Sequence, residues 1–292
     1  MYLVEDYFAA KSVEEALDLL ADNPQRHIIA GGTDLLLKMR DGLLENVQLI
    51  GIRDIESLSS ISLDEEQSIT IGPLTTFKQL TVHPLIQKNM PILTEAALSF
   101  GGPQIRDMAT IGGNICNGVP SADSAPPLLA LDALLKLQAQ GSERLLPVGE
   151  FFLGPGRVDL QPGELLTEIL ITADNYRSFG GCYIKFAPRK AMDLAIIGVA
   201  VTCRLHEKDT FERVRISLGV AGPTPLRCTA AESYAQGKTI SDDTVAEIGK
   251  LAVESAKARN SVRASKEYRE HLIDELTRRA LKTAVSRAGR RS

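Results

Sequence analysis

The apolar residues of this chain come in short clusters at two different periods, and the switches between them mark out its elements. Val13, Ala16, Leu17 and Leu20 recur at helical spacing until Asn23-Pro24 ends the run. Ahead of them Ser12-Val13-Glu14-Glu15 reads as a capping box, with Ser12 as the cap and Glu15 reaching back. A brief apolar stretch at Ile28 and Ile29 predicts a strand, residues 35–40 a short helix, and residues 47–52 and 69–71 two buried strands. Patterning lapses between Asp54 and Ser60, which sets a seam between a small β-α-β lobe and a second one. Residues 75–80 and 91–99 read as helices, His83-Pro84 and Met90-Pro91 as breaks, and Phe100-Gly101-Gly102-Pro103 as the turn at the helix end.

Further on, Ala125-Pro126-Pro127 opens a helix, its prolines sitting where N–H groups would be unused. Residues 134–138 and 144–147 flank Gln140-Gly141-Ser142 as a hairpin, and residues 165–172 alternate like a strand. The polar, glycine-containing stretch from Asp174 to Gly181 is the best domain boundary. Strands at 182–186, 199–205 and 214–220 follow, with Gly222-Pro223-Thr224-Pro225 breaking the last. Two helices close the chain, 242–256 and 266–288, the second with Tyr268, Leu272, Leu276 and Ala280 on one face. The expectation is an α+β chain: a two-lobed domain over residues 1–176, with lobes of about 1–56 and 57–176, then a three-stranded sheet backed by helices over 177–292.

Two glycine pairs carry the candidate chemistry. Ala30-Gly31-Gly32-Thr33-Asp34 ends the apolar run His27-Ile28-Ile29, and Thr110-Ile111-Gly112-Gly113-Asn114 runs on to Ser121-Ala122-Asp123-Ser124. Two adjacent glycines remove both Cβ atoms at one spot, so the backbone can take positive φ and press its N–H groups against a bulky anion. Asn114, Thr110 and Ser121 add side-chain donors. Asp34 is the natural N-cap of the helix at 35–40, whose positive end would face the first loop. Together the two loops read as a cradle for a flavin dinucleotide, clasping one pyrophosphate from opposite sides. Each pair alone also reads as a tight turn between strands. Neither fits G-x-G-x-x-G, which disfavours a Rossmann site.

Composition narrows the picture without supplying a function. At 292 residues, 44% hydrophobic and 24% charged, the chain reads as an ordinary globular protein of one or two domains. A net charge of −4 gives no reason to expect nucleic acid or an anionic membrane as partner. Acids at Glu5 and Asp6 and the lack of a basic-then-apolar start argue against a secretory signal, so the expected location is the cytoplasm. The arginine-rich end from Arg287 to Arg291 reads as a frayed, solvated tail. Cys116, Cys182, Cys203 and Cys228 are too far apart to pre-organise a metal or iron–sulfur site, and the four histidines are equally scattered.

The two glycine stretches, with Gly102-Pro103-Gln104-Ile105-Arg106, Ser121-Ala122-Asp123-Ser124 and Arg263-Ala264-Ser265-Lys266-Glu267-Tyr268-Arg269, resemble the FAD-binding subunits of molybdenum hydroxylases, in particular those of bacterial xanthine dehydrogenases. The resemblance covers the whole chain. It implies a two-lobed FAD-binding domain of the PCMH (vanillyl-alcohol oxidase-like) type, followed by a small α+β domain like the C-terminal domain of CO dehydrogenase flavoproteins, which completes the flavin pocket and helps hold the subunits together. It further implies flavin contacts at Ile28, Ile29, Ala30, Gly31, Gly32, Thr33, Asp34 and Leu35, at Phe100, at Thr110, Ile111, Gly112, Gly113 and Asn114, and at Asp123, Leu166 and Lys185. Phe100 would stack on the adenine, against the competing reading of a core phenylalanine. Lys185 reads from periodicity as a solvated lysine and from the resemblance as a flavin contact. Arg106 could neutralise a pyrophosphate or pair with Asp107.

The function so implied is that of an oxidoreductase subunit with non-covalent FAD. Electrons would come from [2Fe–2S] clusters and a molybdenum cofactor held on an iron–sulfur subunit and a molybdenum-cofactor subunit, in a dimer of heterotrimers, and pass to NAD as hypoxanthine or xanthine is oxidised. The alternatives are the FAD subunit of another molybdenum hydroxylase, acting on carbon monoxide, an aldehyde or a nicotinate-type substrate, or a flavin-bound scaffold without electron transfer.

Overall fold

The computed structural model describes residues 3–207 and 209–289. Met1 and Tyr2, and Arg290 and Arg291 of the expected tail, lie outside them. The first lobe is β1 (Val4–Ala9), α1 (Val13–Asp22), β2 (His27–Ile29), α2 (Leu35–Arg40) and β3 (Val47–Gly51). Its sheet is parallel, in the order β1-β3-β2, because each strand returns through a helix rather than a tight turn. Ser12 caps α1 by accepting the Glu15 N–H at 3.1 Å. Glu15 reaches back one residue further than expected, its carboxylate accepting the Lys11 N–H at 2.7 Å.

The second lobe is β4 (Ile61–Leu63), β5 (Ile69–Ile71), α3 (Phe77–Val82), α4 (Pro84–Asn89), α5 (Pro91–Ser99), α6 (Pro103–Met108), α7 (Ile111–Cys116), α8 (Ala125–Ala130), β6 (Leu134–Ala139), β7 (Ser142–Pro147), α9 (Val148–Phe151), β8 (Phe152–Gly154), β9 (Arg157–Val158), β10 (Leu165–Ile171) and α10 (Ala173–Tyr176). Its main sheet is antiparallel, in the order β4-β5-β10-β6-β7, so this lobe is no second β-α-β unit. Pro84, read as a break, and Pro103, read as part of a turn, are helix starts, as Pro91 is for the expected helix at 91–99. At these first positions a missing N–H leaves no acceptor unserved. Helices α4 and α6 were hidden for that reason. Antiparallel β10 pairs with β5 and β6 at the centre, and its ladder shifts register between Leu166 and Glu168.

The third unit is β11 (Gly180–Phe186), β12 (Ile197–His206), β13 (Thr210–Gly219), β14 (Leu226–Arg227), α11 (Thr229–Ala235), α12 (Asp242–Ser255) and α13 (Lys266–Ala288). Four strands in sequential order replace the expected three, β14 being too short to show a period. On α13 the buried face is Leu272, Ile273, Leu276, Ala280, Leu281 and Ala284, while Tyr268 is 44% exposed.

This unit is bolted to the second lobe through α8. Thr202 and Ser217 donate their hydroxyls to the Ala130 and Pro126 carbonyls. Asp132, just beyond α8, pairs with Arg215 at 2.6 Å and with Arg227, and Arg227 forks onto Glu232. Burial pushes the Arg215 guanidinium down to about 10. Arg287 donates to the Gly181 carbonyl and pairs with Glu95 at 2.5 Å, so it is an interdomain tie and not part of a solvated tail.

Candidate functional site

The two glycine pairs meet in space. Gly31 packs on the backbone of Met108 and Ala109, the run-in to the second pair, and any Cβ there would overlap the Met108 carbonyl oxygen. Gly112 packs on Pro73 in the same way. The cleft between the lobes is lined by residues 28–35, Lys38 and Ile52 from the first lobe, and by Pro73, Leu74, Phe100, Ala109, Thr110, Gly112, Gly113, Asn114, Cys116, Asn117, Leu160 and residues 164–166 from the second. It holds about 1010 Å³ of free space, its open mouth included.

The two loops do different work. Gly32 has φ +71°, the left-handed turn that only glycine takes easily. Among the described residues, the N–H groups of Gly31, Gly32, Thr33, Asp34 and Leu35 donate to no protein acceptor. Successive unspent N–H groups around such a turn form an anion-binding nest. The second pair is the first turn of α7, without positive φ. Its N–H groups are already spent: Ile111 on the Thr75 carbonyl, Gly112 on the Pro73 carbonyl, and Gly113 on the Thr110 hydroxyl at 3.1 Å. A clasp of backbone donors from both sides is therefore corrected to a run of free N–H groups on the first loop and side-chain donors on the second. Asn114 accepts from the N–H and hydroxyl of Ser124 through Oδ1, at 3.3 and 2.6 Å, which leaves its amide hydrogens for a ligand.

Most of the expected contact residues line this cleft: 28–35, Phe100, Thr110, Gly112, Gly113, Asn114 and Leu166. Three do not. Ile111 is fully buried in the core beneath α7. Asp123 and Lys185 bind each other at 2.7 Å, with side chains 5% and 7% exposed; Asp123 also accepts from Tyr183 at 3.0 Å, and Lys185 donates to the Ser99 carbonyl at 3.1 Å. Burial raises the Asp123 carboxyl against the pull of Lys185, and raises the Tyr183 phenol well above its usual range. The solvated reading of Lys185 is overturned. The lysine locks β11 onto the residues around Phe100, and among the described residues none beyond Leu166 lines the cleft.

Other expectations resolve locally. Asp34 caps nothing: its own backbone is helical and its side chain makes no capping bond. Burial within the cleft raises its carboxyl, partly offset by Lys38. Phe100 stacks on Phe77 with ring centroids 3.9 Å apart while still lining the cleft, so it serves the core and the cleft together. Arg106 holds the Leu98, Phe100 and Gly101 carbonyls, and Asp107 pairs with Lys78 instead. Sequence reasoning missed Lys38, which donates to Asn117 at 2.7 Å across the cleft, and Cys116, whose thiol burial pushes up to about 12. It also missed Leu160 and Glu164. Leu160 and Glu164 sit in no local pattern, whereas Cys116 lies within the second glycine stretch and Lys38 one helical turn after Asp34.

The residues fit a flavin dinucleotide: a nest of free N–H groups for a diphosphate, polar donors at Thr110 and Asn114, and apolar walls at Leu160, Leu165 and Leu166. Residues 3–172 match the FAD binding domain in molybdopterin dehydrogenase, and residues 182–284 match the CO dehydrogenase flavoprotein C-terminal domain. The chain is 40% identical to the xanthine dehydrogenase FAD-binding subunit of Escherichia coli O157:H7, with 99% of each chain covered. It is 34% identical to the 6-hydroxypseudooxynicotine dehydrogenase complex subunit alpha of Paenarthrobacter nicotinovorans, over 97% of this chain and 95% of that one. Among solved structures, carbon monoxide dehydrogenase from Hydrogenophaga pseudoflava superposes with a TM-score of 0.93 at 30% identity, covering 98% of this chain and 99% of that one. With the nest, the cleft and these full-length matches in agreement, the chain belongs to the FAD-binding subunits of the molybdenum hydroxylase family.

Proposed function

We propose that this chain is the FAD subunit of a molybdenum-containing xanthine dehydrogenase, relaying electrons from [2Fe–2S] clusters of a partner subunit to NAD during oxidation of hypoxanthine or xanthine. The observation that carries the substrate class is the full-length 40% identity to a xanthine dehydrogenase FAD-binding subunit. When bound, the flavin supplies the exchange between single electrons and a hydride. The chain's own residues do the rest. Gly31 to Leu35 offer their N–H groups to the diphosphate, and Thr110 and Asn114 give donors from the facing edge. Leu160, Leu165 and Leu166 would give the cofactor an apolar wall that excludes water, and the Asp123–Lys185 pair holds the third unit against the Phe100 wall. Among the described residues no histidine lines the cleft, and burial raises the thiol of Cys116, which favours non-covalent attachment.

In this reading the domains run over 1–176, with lobes of 1–56 and 57–176, and over 177–292. The chain works in the cytoplasm with an iron–sulfur subunit and a molybdenum-cofactor subunit, as a dimer of heterotrimers. Among the described residues no helix is long and apolar enough to cross a membrane. The test is co-expression with candidate partners, followed by pull-down and assay. The expected result is a complex that bleaches its flavin with NADH and oxidises xanthine with NAD. A complex that oxidises another substrate class instead would move the chain to a sister enzyme. A chain that binds FAD yet copurifies with no cluster-bearing protein, and whose flavin NADH cannot bleach, would remove the electron-transfer role.

A further inference from the structure

One wall of the cleft has no regular structure to hold it. Between β9 and β10, residues 159–164 form neither helix nor strand, and Gly163 sits at φ +87°. Yet Leu160 and Glu164 from this segment line the cleft, and it leads directly into Leu165 and Leu166. An irregular segment with so few backbone bonds would ordinarily sample several positions. Its backbone ties are the Asp159 N–H to the Phe151 carbonyl at 2.7 Å and the Glu164 N–H to the Gln161 carbonyl at 3.0 Å.

Besides the packing of Leu160 on the second-lobe core, the loop is tied from outside by one side chain on a neighbouring strand. Arg144 of β7 forks onto Glu164, with Nε to Oε1 at 2.7 Å and Nη2 to Oε2 at 2.8 Å. Its Nη1 meets the Asp159 carboxylate at 2.9 Å and its Nη2 the Asp159 carbonyl at 2.8 Å. Two further bonds close the loop on itself: the Gln161 N–H to Glu164 at 2.7 Å and the Gln161 amide to Asp159 at 2.6 Å. The Glu164 side chain is only 11% exposed. Burial alone would raise its carboxyl, but the Arg144 fork and the Gln161 N–H outweigh it and hold the group below the ordinary carboxylate range. A planar bidentate fork fixes orientation as well as distance, which a lysine cannot do. Arg144 itself does not line the cleft.

We infer that Arg144 is a positioning residue for the flavin site: by clamping Asp159 and Glu164 it fixes the loop that walls the cleft, and it neutralises a carboxylate that would otherwise stand free beside an anionic cofactor. The inference rests on the flavin reading of the cleft. Its consequence is kinetic. With the clamp gone the wall opens more often, so FAD leaves faster and water reaches the ring, while the fold that depends on the buried cores stays intact.

The experiment compares the full chain loaded with FAD against its Arg144→Met, Arg144→Lys and Glu164→Gln variants. FAD release is followed by the rise of free-flavin fluorescence on dilution, and the visible absorption bands of the bound flavin report its contact with water. Release about tenfold faster is expected in Arg144→Met, the size of a lost charge-assisted fork. Arg144→Lys should recover only part of the loss, because it restores charge without geometry, and both variants should blur the fine structure of the flavin bands. Should Arg144→Met fail to fold, Arg144→Lys and Glu164→Gln make the same comparison with fewer bonds removed. Release at the wild-type rate with unchanged bands in the folded variants would overturn the inference and leave the flavin reading standing. A wild-type chain that takes up no FAD would overturn both.

Discussion

Gly31-Gly32 and Gly112-Gly113 are the same dipeptide in similar settings, each after an apolar residue and before small polar ones, yet they solve different problems. In the first, Gly32 turns left-handed and leaves a run of N–H groups unspent. In the second, the pair is helical, its two N–H groups are consumed by the Pro73 carbonyl and the Thr110 hydroxyl, and the missing Cβ of Gly112 serves close packing on Pro73. Within one pair the two positions also differ. Gly31 and Gly112 stand against backbone and ring atoms that cannot move aside, whereas a Cβ at Gly113 would meet only the Thr110 hydroxyl, 2.9 Å away. A glycine pair therefore marks a place where backbone must come close; whether it comes close to a ligand or to the protein is decided by where its N–H groups go.

Substitutions rank this comparison. The largest effect should come from Gly31→Ala, which forces the first loop off Met108 and Ala109; a cost of about 3 kcal/mol or more and loss of FAD uptake are expected, read by thermal unfolding and flavin titration. Gly112→Ala should cost a similar amount of stability through Pro73, but for a packing reason. Next comes Gly32→Ala, at about 1–2 kcal/mol for an alanine forced to positive φ, with Gly32→Asn milder. Gly113→Ala should be milder still, about 1 kcal/mol from disturbing the Thr110 cap, offset in part by the better helix propensity of alanine. An FAD affinity falling as far in Gly113→Ala as in Gly31→Ala would erase the distinction between the loops.

The smallest effect is electrostatic and leaves that ranking alone. Glu164 and Asp159 titrate below their ordinary values of 4.5 and 3.8, the first held there by Arg144 and Gln161 against burial, the second chiefly by Arg144. A depressed carboxylate stabilises the folded form above its unfolded value and loses that contribution as pH falls through the folded one. Stability should therefore decline below about pH 4.5, more steeply in wild type than in Arg144→Met, as thermal midpoints across that range would show. Parallel declines would mean the clamp contributes nothing.

Legibility followed locality. Helices α5 and α13 and the cap of α1 were readable because their apolar spacing and flanking residues lie within one or two turns. The first cleft loop was readable for the same reason, since strand, glycines and helix are contiguous. Helices α4 and α6 were not, because a proline signals both an end and a beginning. Periodicity alone read Lys185 as solvated because its partner Asp123 is sixty-two residues away. Glu164 and Leu160 could not be seen at all, because an irregular loop has no period and its ties, to an arginine on another strand and to the second-lobe core, are not local.

Hydrogen–deuterium exchange with and without FAD tests the central claim most directly, because it reads the N–H groups themselves. In the apo-protein, peptides spanning Gly31 to Leu35 should exchange fast and those spanning Ile111 to Gly113 slowly; adding FAD should protect the first set and leave the second nearly unchanged. Protection gained at Ile111 to Gly113, with none at Gly31 to Leu35, would contradict the account and return the diphosphate to the second loop.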